Sequence, residues 1–390
     1  MLTHLSAKLR ERENAGLYRR RLMLEGPQMV HAAIEGKHYL AFCSNDYLGL
    51  ASHPALIEAA CAGAQRYGVG SGASHLICGH SLAHHTLEEA LAHFVGLPQA
   101  LLFSTGYMAN MAVITSLVGR GDAIFADRLN HASLNDAALL SKATFKRYPH
   151  LDLTRLERYL ADSDASGKLV VTDAVFSMDG DIAPVVELLA LCEQYGAWLL
   201  LDDAHGFGVL GKNGNGVTHA FDKFNVRSPH LVYMATLGKA AGVSGAFVAA
   251  QSDIIETLIQ FARSYGYTTA TPALLAHTLM TSLSLIKQEA WRREKLIKLI
   301  TQLKTSLHSL RWPLMPSMTP IQPLLVGGND EAMHLSAALS DRGILVPAIR
   351  PPTVPEGKAR LRISLSAAHR EEDVEQLSET LHDLAKIISS

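Results

Sequence analysis

Four apolar residues, Trp198-Leu199-Leu200-Leu201, run without interruption into Asp202-Asp203-Ala204-His205. An apolar run without alternation is the pattern of a strand buried on both faces, as in a parallel sheet between helices. Carboxylates are costly to bury, so two of them at the carboxyl end of such a strand point to a site rather than to packing. A second strand-like run, Leu231-Val232-Tyr233-Met234-Ala235, delivers Thr236-Leu237-Gly238-Lys239 in the same way. Carboxylate, imidazole and lysine on neighbouring strand ends are the protein-side parts that pyridoxal phosphate needs. The amine holds its aldehyde, and the acid keeps its ring nitrogen protonated.

Two nucleotide motifs overlap this stretch and fail on context. Gly206 to Gly211 satisfies G-x-G-x-x-G, but Lys212-Asn213-Gly214-Asn215-Gly216 is turn chemistry where a dinucleotide fold needs a helix. Gly206 to Lys212 also matches G-x-x-x-x-G-K, yet Asn213 stands where a P-loop needs a hydroxyl for magnesium.

With 390 residues, 48% of them hydrophobic and 18% charged, and a net charge of -2, the chain has the material for two or three packed domains and no bias toward nucleic acid or a membrane. No apolar run approaches the roughly 18 residues of a membrane span. Cys43, Cys61, Cys78 and Cys192 form no C-x-x-C pair and are expected as buried thiols in a reducing compartment. The N-terminus has no signal-peptide core, and Glu11 and Glu13 argue against a transit peptide, so a cytoplasmic location is expected.

Leu2, Leu5 and Leu9 predict an amphipathic N-terminal helix, followed by the triplet Arg19-Arg20-Arg21, either a solvated face or a carboxylate contact. A short hairpin is expected near Lys37 to Phe42. Past the loop Gly68 to Ser74, His80 and His84 are spaced to share a helix face. Ser81 follows His80 where a zincin needs glutamate, so no metal site is expected. A helix is expected over Thr86 to Val95. From Ala100 onward strand and helix patterns alternate, which predicts a mostly parallel sheet between helices. Ligands on such sheets sit beyond the strand carboxyl ends. Ser104-Thr105-Gly106-Tyr107 opens a helix there, a place for an anion such as a phosphate. Asp127 to His131 brings an imidazole to the same edge, and Phe176 to Gly180 brings the Ser177 hydroxyl. A capped helix is expected over Asp253 to Ser264, and one or two long helices from Leu274 lead to a smaller α+β part. The expected domains are an N-terminal helix and hairpin segment (1–45), a large domain (46–285) and a small C-terminal domain (286–390).

Four motifs carry a resemblance to a known family: Ser44-Asn45-Asp46-Tyr47-Leu48-Gly49-Leu50, Asp202-Asp203-Ala204-His205-Gly206, Thr236-Leu237-Gly238-Lys239 and Val243-Ser244-Gly245. From about Arg19 to its end the chain resembles the α-oxoamine synthases, pyridoxal phosphate enzymes of fold type I. The resemblance implies a seven-stranded, mostly parallel sheet in a large domain and a small C-terminal domain. It implies that Lys239 carries the cofactor, Asp202 pairs with the ring nitrogen, and His205 and Ser177 lie near the ring hydroxyl. It further implies that His131 stacks on the ring, that Gly106, Tyr107 and Thr236 hold the phosphate, and that Thr268 reaches it from the partner subunit of a homodimer. Arg19 and Thr353 would contact substrate, with Arg20 the alternative to Arg19. Ile321-Gln322-Pro323-Leu324 and Ile349-Arg350-Pro351-Pro352-Thr353-Val354-Pro355 are most similar to the branch that condenses L-alanine with a pimeloyl thioester of coenzyme A or acyl carrier protein. Condensation of glycine with acetyl-CoA is the sibling activity, and a catalytically silent regulator the alternative from another class. One departure is Ala73, where relatives usually carry glycine.

Overall fold

The computed structural model describes residues 2–15 and 17–389, with side chains described for 4–15 and 17–387. Its largest sheet has seven strands in the order Gln99–Phe103, Ala246–Ala250, Leu231–Thr236, Trp198–Asp202, Lys168–Asp173, Ala123–Asp127, Thr144–Tyr148. Only Ala246–Ala250 runs against the other six, pairing antiparallel with both neighbours. The central strands are apolar because both their faces are covered. Leu199 and Leu201 enter the core on one side of the sheet, and Leu200 enters the core on the other. Each such leucine contributes about 1.5–3 kcal/mol by leaving water.

The same alternation separates the two adjacent acids. In register, Asp202 lies between Asp173 on one side and Met234 on the other. The edge strand Thr144–Tyr148 lacks an apolar run, since its Thr-Phe-Lys-Arg-Tyr pattern leaves only Tyr148 buried, and its charges are suited to an unpaired edge. Behind it, Asp152 caps the helix Leu153–Ala161 by accepting from the Arg155 N–H.

Beyond the sheet, the long helical stretch is two helices, Ala273–Gln288 and Trp291–Ser306. They lead to an antiparallel sheet of Ile321–Gly327, Ala359–Ser364 and Ala348–Ile349, flanked by the helices Asn329–Asp341 and Glu371–Ser389. The N-terminal hairpin, His31–Ile34 with Lys37–Ala41, pairs in parallel with Ile344–Leu345, which fastens the start of the chain to its C-terminal part.

Several local expectations are corrected. The helix expected from Thr86 begins at Leu82, with Ser81 as its N-cap, so His80 lies outside it and shares no helix face with His84. The helix expected from Asp253 begins at Ser252 and has no side-chain cap, and Arg263 already belongs to a separate turn of helix, Arg263–Gly266. In the helix Leu2–Asn14 the Leu2 side chain lies outside the described residues, while Leu5 and Leu9 are 51% and 52% exposed, so these two positions of the stripe stay outside the core. Among the cysteines only Cys192 is buried. Cys61 and Cys78 are exposed because they fall on the outward face of a helix and in the turn His75–Gly79. No helix among the described residues is long and apolar enough to cross a membrane.

A charged clamp holds the strand ends. His150 bonds Asp127 through Nδ1 at 2.9 Å and Asp181 through Nε2 at 2.8 Å, and Asp127 is 1% exposed. Burial opposes a charge on the imidazole, but the bonds to both carboxylates outweigh it and hold the pKa up to about 10. A pKa raised on folding contributes stability that is complete below the ordinary imidazole range and fades as pH rises through about 10. Replacing His150 with alanine leaves the buried Asp127 carboxylate without its cation and is expected to cost about 3 kcal/mol at neutral pH. Urea unfolding of both proteins at neutral pH and near pH 10 checks this, since the gap between them should narrow in alkali.

Candidate active site

The strand ends enclose a cavity of about 210 Å³. Asp202, 5% exposed, closes it from below, its Oδ2 accepting from Asn110 Nδ2 at 2.7 Å and its Oδ1 from the Ala204 N–H at 3.0 Å. Asp203 faces the other way and accepts from Tyr233 Oη at 2.8 Å and the Val217 N–H at 2.7 Å. Burial pushes the Asp203 carboxyl up to about 7. Gly206 of the false nucleotide motif and Gly216 of the turn after it serve this carboxylate: a Cβ at either would collide with it.

Lys239 reaches into the cavity from the end of the next strand, with Nζ 2.9 Å from His205 Nε2. Burial lowers its pKa to about 8, against the pull of Asp202 and Asp173 toward the ammonium. His205 Nδ1 lies 2.7 Å from Tyr47 Oη. Burial, together with the nearby positive charge of Lys239 and Arg362, drives His205 well below the usual imidazole range, so it is neutral.

The opposite wall is the start of the helix Gly106–Leu117. Thr105 caps it by accepting from the Met108 N–H at 3.2 Å. The first N–H groups of a helix have no partner within it and carry the positive end of its dipole, so Gly106 and Tyr107 present an anion site. Thr236 stands across from them and donates to the Gly245 carbonyl at 3.1 Å. Replacing Thr105 with alanine is expected to cost about 1 kcal/mol through the lost cap and to loosen an anion bound there. Thermal unfolding and titration with inorganic phosphate read the two effects separately.

His131 caps the helix Ala132–Ser141, accepting from the Ser133 N–H, and its own N–H donates to Asp173 at 2.8 Å. The cavity therefore brings together Gly106, Tyr107, His131, Ser177, Asp202, His205, Thr236 and Lys239. Thr268, Arg19 and Thr353 do not line it. Thr268 is half-buried beyond the helix Arg263–Gly266, Arg19 is exposed, and Thr353 is exposed in a turn where its N–H donates to the Arg350 carbonyl. Arg20 is exposed too, beside Glu13.

Residues that no motif marks complete the site. Asn110 stands one helical turn after Gly106, so it faces the same way, bridges Asp202 and Ser133, and leaves its Oδ1 buried without a partner. Asp173 closes a buried strand as Asp202 does, and burial followed by the Asp202 charge pushes its carboxyl well up. Arg362 donates through Nε to the Ser177 carbonyl at 2.5 Å and through Nη1 and Nη2 to Asn45 Oδ1, both at 3.3 Å.

A second histidine group stands apart from the cavity. The ring nitrogens of His75, His80 and His84 lie within 4.8 Å of one another. His84 already accepts at Nδ1 from the Ser81 N–H at 3.1 Å and sits 2.8 Å from the Thr271 carbonyl through Nε2, so it ties the helix start to a distant loop.

The sequence pattern of the family described as aminotransferase class I and II matches residues 37–381. A protein of Nitrosomonas europaea named 8-amino-7-oxononanoate synthase is 69% identical over 386 residues, spanning 99% of this chain and 100% of the relative. A protein of the same name from Methylobacillus flagellatus is 59% identical, spanning 98% and 96%. Among solved structures, a serine palmitoyltransferase from S. paucimobilis with bound PLP and myriocin superposes with a TM-score of 0.92 at 28% identity, covering 99% of this chain and 98% of its own. An 8-amino-7-oxononanoate synthase from Francisella tularensis superposes with a TM-score of 0.78 at 32% identity, covering 90% and 99%.

Proposed function

Because the chain belongs to the class I and II aminotransferase family, we propose that it joins L-alanine to a pimeloyl thioester with loss of carbon dioxide, forming 8-amino-7-oxononanoate for biotin synthesis. The observation that carries this reading is the buried Lys239 amine, beside His205 and the acids Asp202 and Asp173, in a chain similar from end to end to enzymes of that name.

The cavity fits pyridoxal phosphate on its own chemistry. It offers one amine of lowered pKa, an acid fixed by two donors, a helix start for a phosphate and a spare amide oxygen on Asn110. Lys239 would hold the aldehyde, Asp202 the ring nitrogen, His205 and Ser177 the ring hydroxyl, and Gly106, Tyr107 and Thr236 the phosphate, with His131 against the ring. Bound there, the cofactor supplies an electron-poor ring that stabilises negative charge on the amino-acid Cα.

The chain's own groups do the rest. Lys239, with a pKa of about 8, takes and returns the Cα proton near neutrality without a large energetic mismatch. Asp202 keeps its orientation because Asn110 and the Ala204 N–H occupy one lone pair on each oxygen. His131, held by its backbone bond to Asp173, presents an imidazole to the substrate carboxylate or the acyl carbonyl. Arg19 and Thr353 would reach the substrate when it binds, and Thr268 would serve the phosphate site of the partner subunit in a homodimer. Coenzyme A or acyl carrier protein would present the acyl group, in the cytoplasm.

Borohydride reduction of purified protein with pyridoxal phosphate, followed by peptide mapping, is expected to place a pyridoxyl group on Lys239. Assays pairing alanine or glycine with pimeloyl or acetyl thioesters should favour alanine with pimeloyl. An adduct on another lysine, or a preference for glycine with acetyl-CoA, would reject the assignment it addresses.

A further inference from the structure

We propose that Tyr47 is a positioning residue: it decides which nitrogen of His205 carries the hydrogen and thereby holds the Lys239 amine as a free base. The inference deepens the reading of Lys239 as the cofactor lysine and rests on it for its consequence.

His205 has a hydrogen-bond partner on each nitrogen, Tyr47 Oη at 2.7 Å on Nδ1 and Lys239 Nζ at 2.9 Å on Nε2. A neutral imidazole has one N–H and one lone pair, so the two contacts must run in opposite senses. If Tyr47 donates to Nδ1, the hydrogen sits on Nε2 and points at Lys239, which can accept it only with the lone pair of an uncharged amine. If Tyr47 instead donates to Asn45 Oδ1, 3.1 Å away, the hydrogen sits on Nδ1 and Nε2 accepts from an ammonium.

Arg362 selects between these arrangements. Its Nη1 and Nη2 both donate to Asn45 Oδ1 at 3.3 Å, where they compete with the Tyr47 hydroxyl for that oxygen's two lone pairs, and Nη2 also points at Tyr47 Oη from 3.5 Å. The Tyr47 hydrogen is left with His205, its shorter contact. A hydroxyl that accepts from a guanidinium is also a stronger donor. Around Lys239, Asp202, Asp173 and Asp203 favour the ammonium, while burial and Arg362 oppose it. Lys239, Arg362 and His131 all disfavour charge on His205. Among these opposing influences, the direction of one hydrogen bond tips the state of the amine. The amine must be uncharged to attack an aldehyde or to take a proton.

The test uses the full chain freed of cofactor. Trace acetylation with acetic anhydride from about pH 6 to about pH 10, read lysine by lysine by mass spectrometry, gives the midpoint at which Lys239 becomes reactive. Phenylalanine at position 47 preserves the packing and removes the hydroxyl, so Tyr47→Phe is expected to raise that midpoint by about one pH unit while exposed lysines stay put. Asn45→Ala removes the competing acceptor and is expected to leave the midpoint in place or lower it. Equal Lys239 midpoints in folded wild type and Tyr47→Phe overturn the proposal. Should Tyr47→Phe not fold, nitrogen NMR of labelled histidine in the wild-type chain decides: a hydrogen on Nε2 of His205 supports the proposal and one on Nδ1 overturns it. Acetylation reads the amine whether or not pyridoxal phosphate binds, so a missing adduct at Lys239 would reject the proposed function without deciding this point.

Discussion

Replacing Lys239 with alanine is expected to lower kcat by about 10⁴-fold or more and to abolish borohydride trapping of the cofactor. Two losses combine in that figure: the covalent hold on the aldehyde, and the base that moves the Cα proton, itself worth about 10²- to 10⁴-fold. His205 makes a poor understudy for the base. The nearest nitrogen, His205 Nε2, sits 2.9 Å from Nζ, but burial and neighbouring charge keep that imidazole a very weak base. Affinity for the cofactor should fall less than turnover, because the helix start at Gly106 and the Asp202 carboxylate are untouched. A small primary amine added to the variant should restore part of the rate. Turnover within tenfold of wild type would mean that Lys239 does not do the chemistry.

The sheet and its chemical edge are legible in the sequence because burial on both faces writes an unbroken apolar run, and a carboxylate at the end of such a run marks the edge where charge is held. Trp198 to Asp202 and Leu231 to Lys239 carry that signal. Asp173 carries it as well, since Leu169-Val170-Val171 runs apolar into Thr172 and Asp173, and it lies in register beside Asp202. Asn110 is harder to see, because an amide within an apolar helix reads as an accident until the helix start at Gly106 is known to face the site.

Arg362 is hidden by its own pattern. The strand Ala359–Ser364 alternates apolar and charged residues, which suggests that one face meets water, yet all six residues are buried. Both arginines face the turn after Lys168–Asp173, where Arg360 pairs with Asp179 and Arg362 bonds the Ser177 carbonyl. A sequence pattern records that a face is polar. It does not record whether water or another carboxylate satisfies it. The same limit explains Leu5 and Leu9, whose helical spacing is plain and which stay exposed all the same. It also explains Thr268, Arg19 and Thr353, which no contact within a single chain draws to the cavity.

The neighbouring acids Asp202 and Asp203 should fail in opposite ways when replaced, because one residue of register puts them on opposite faces of the sheet. Asp202→Ala removes the charge that would anchor the cofactor ring and takes from the Asn110 amide one of its two acceptors. Breaking one side of a buried charged pair costs about 3–5 kcal/mol. Applied to cofactor affinity or to the barrier, that range corresponds to losses of about 10²- to 10⁴-fold. The variant should stay folded, since Asp202 contributes nothing to the packing of either core. Asp203→Asn, by contrast, keeps one oxygen for the Val217 N–H and the Tyr233 hydroxyl but removes the charge they bond and buries an NH2 group where Oδ1 has no partner. It is expected to lower stability by about 1–3 kcal/mol, with the cofactor site itself intact. Pyridoxal phosphate titration, turnover and urea unfolding, run on both variants together, separate the outcomes. Asp202→Ala with full activity, or a pair of variants with matching losses in every measurement, would mean that the carboxylate facing the cavity has no chemical task.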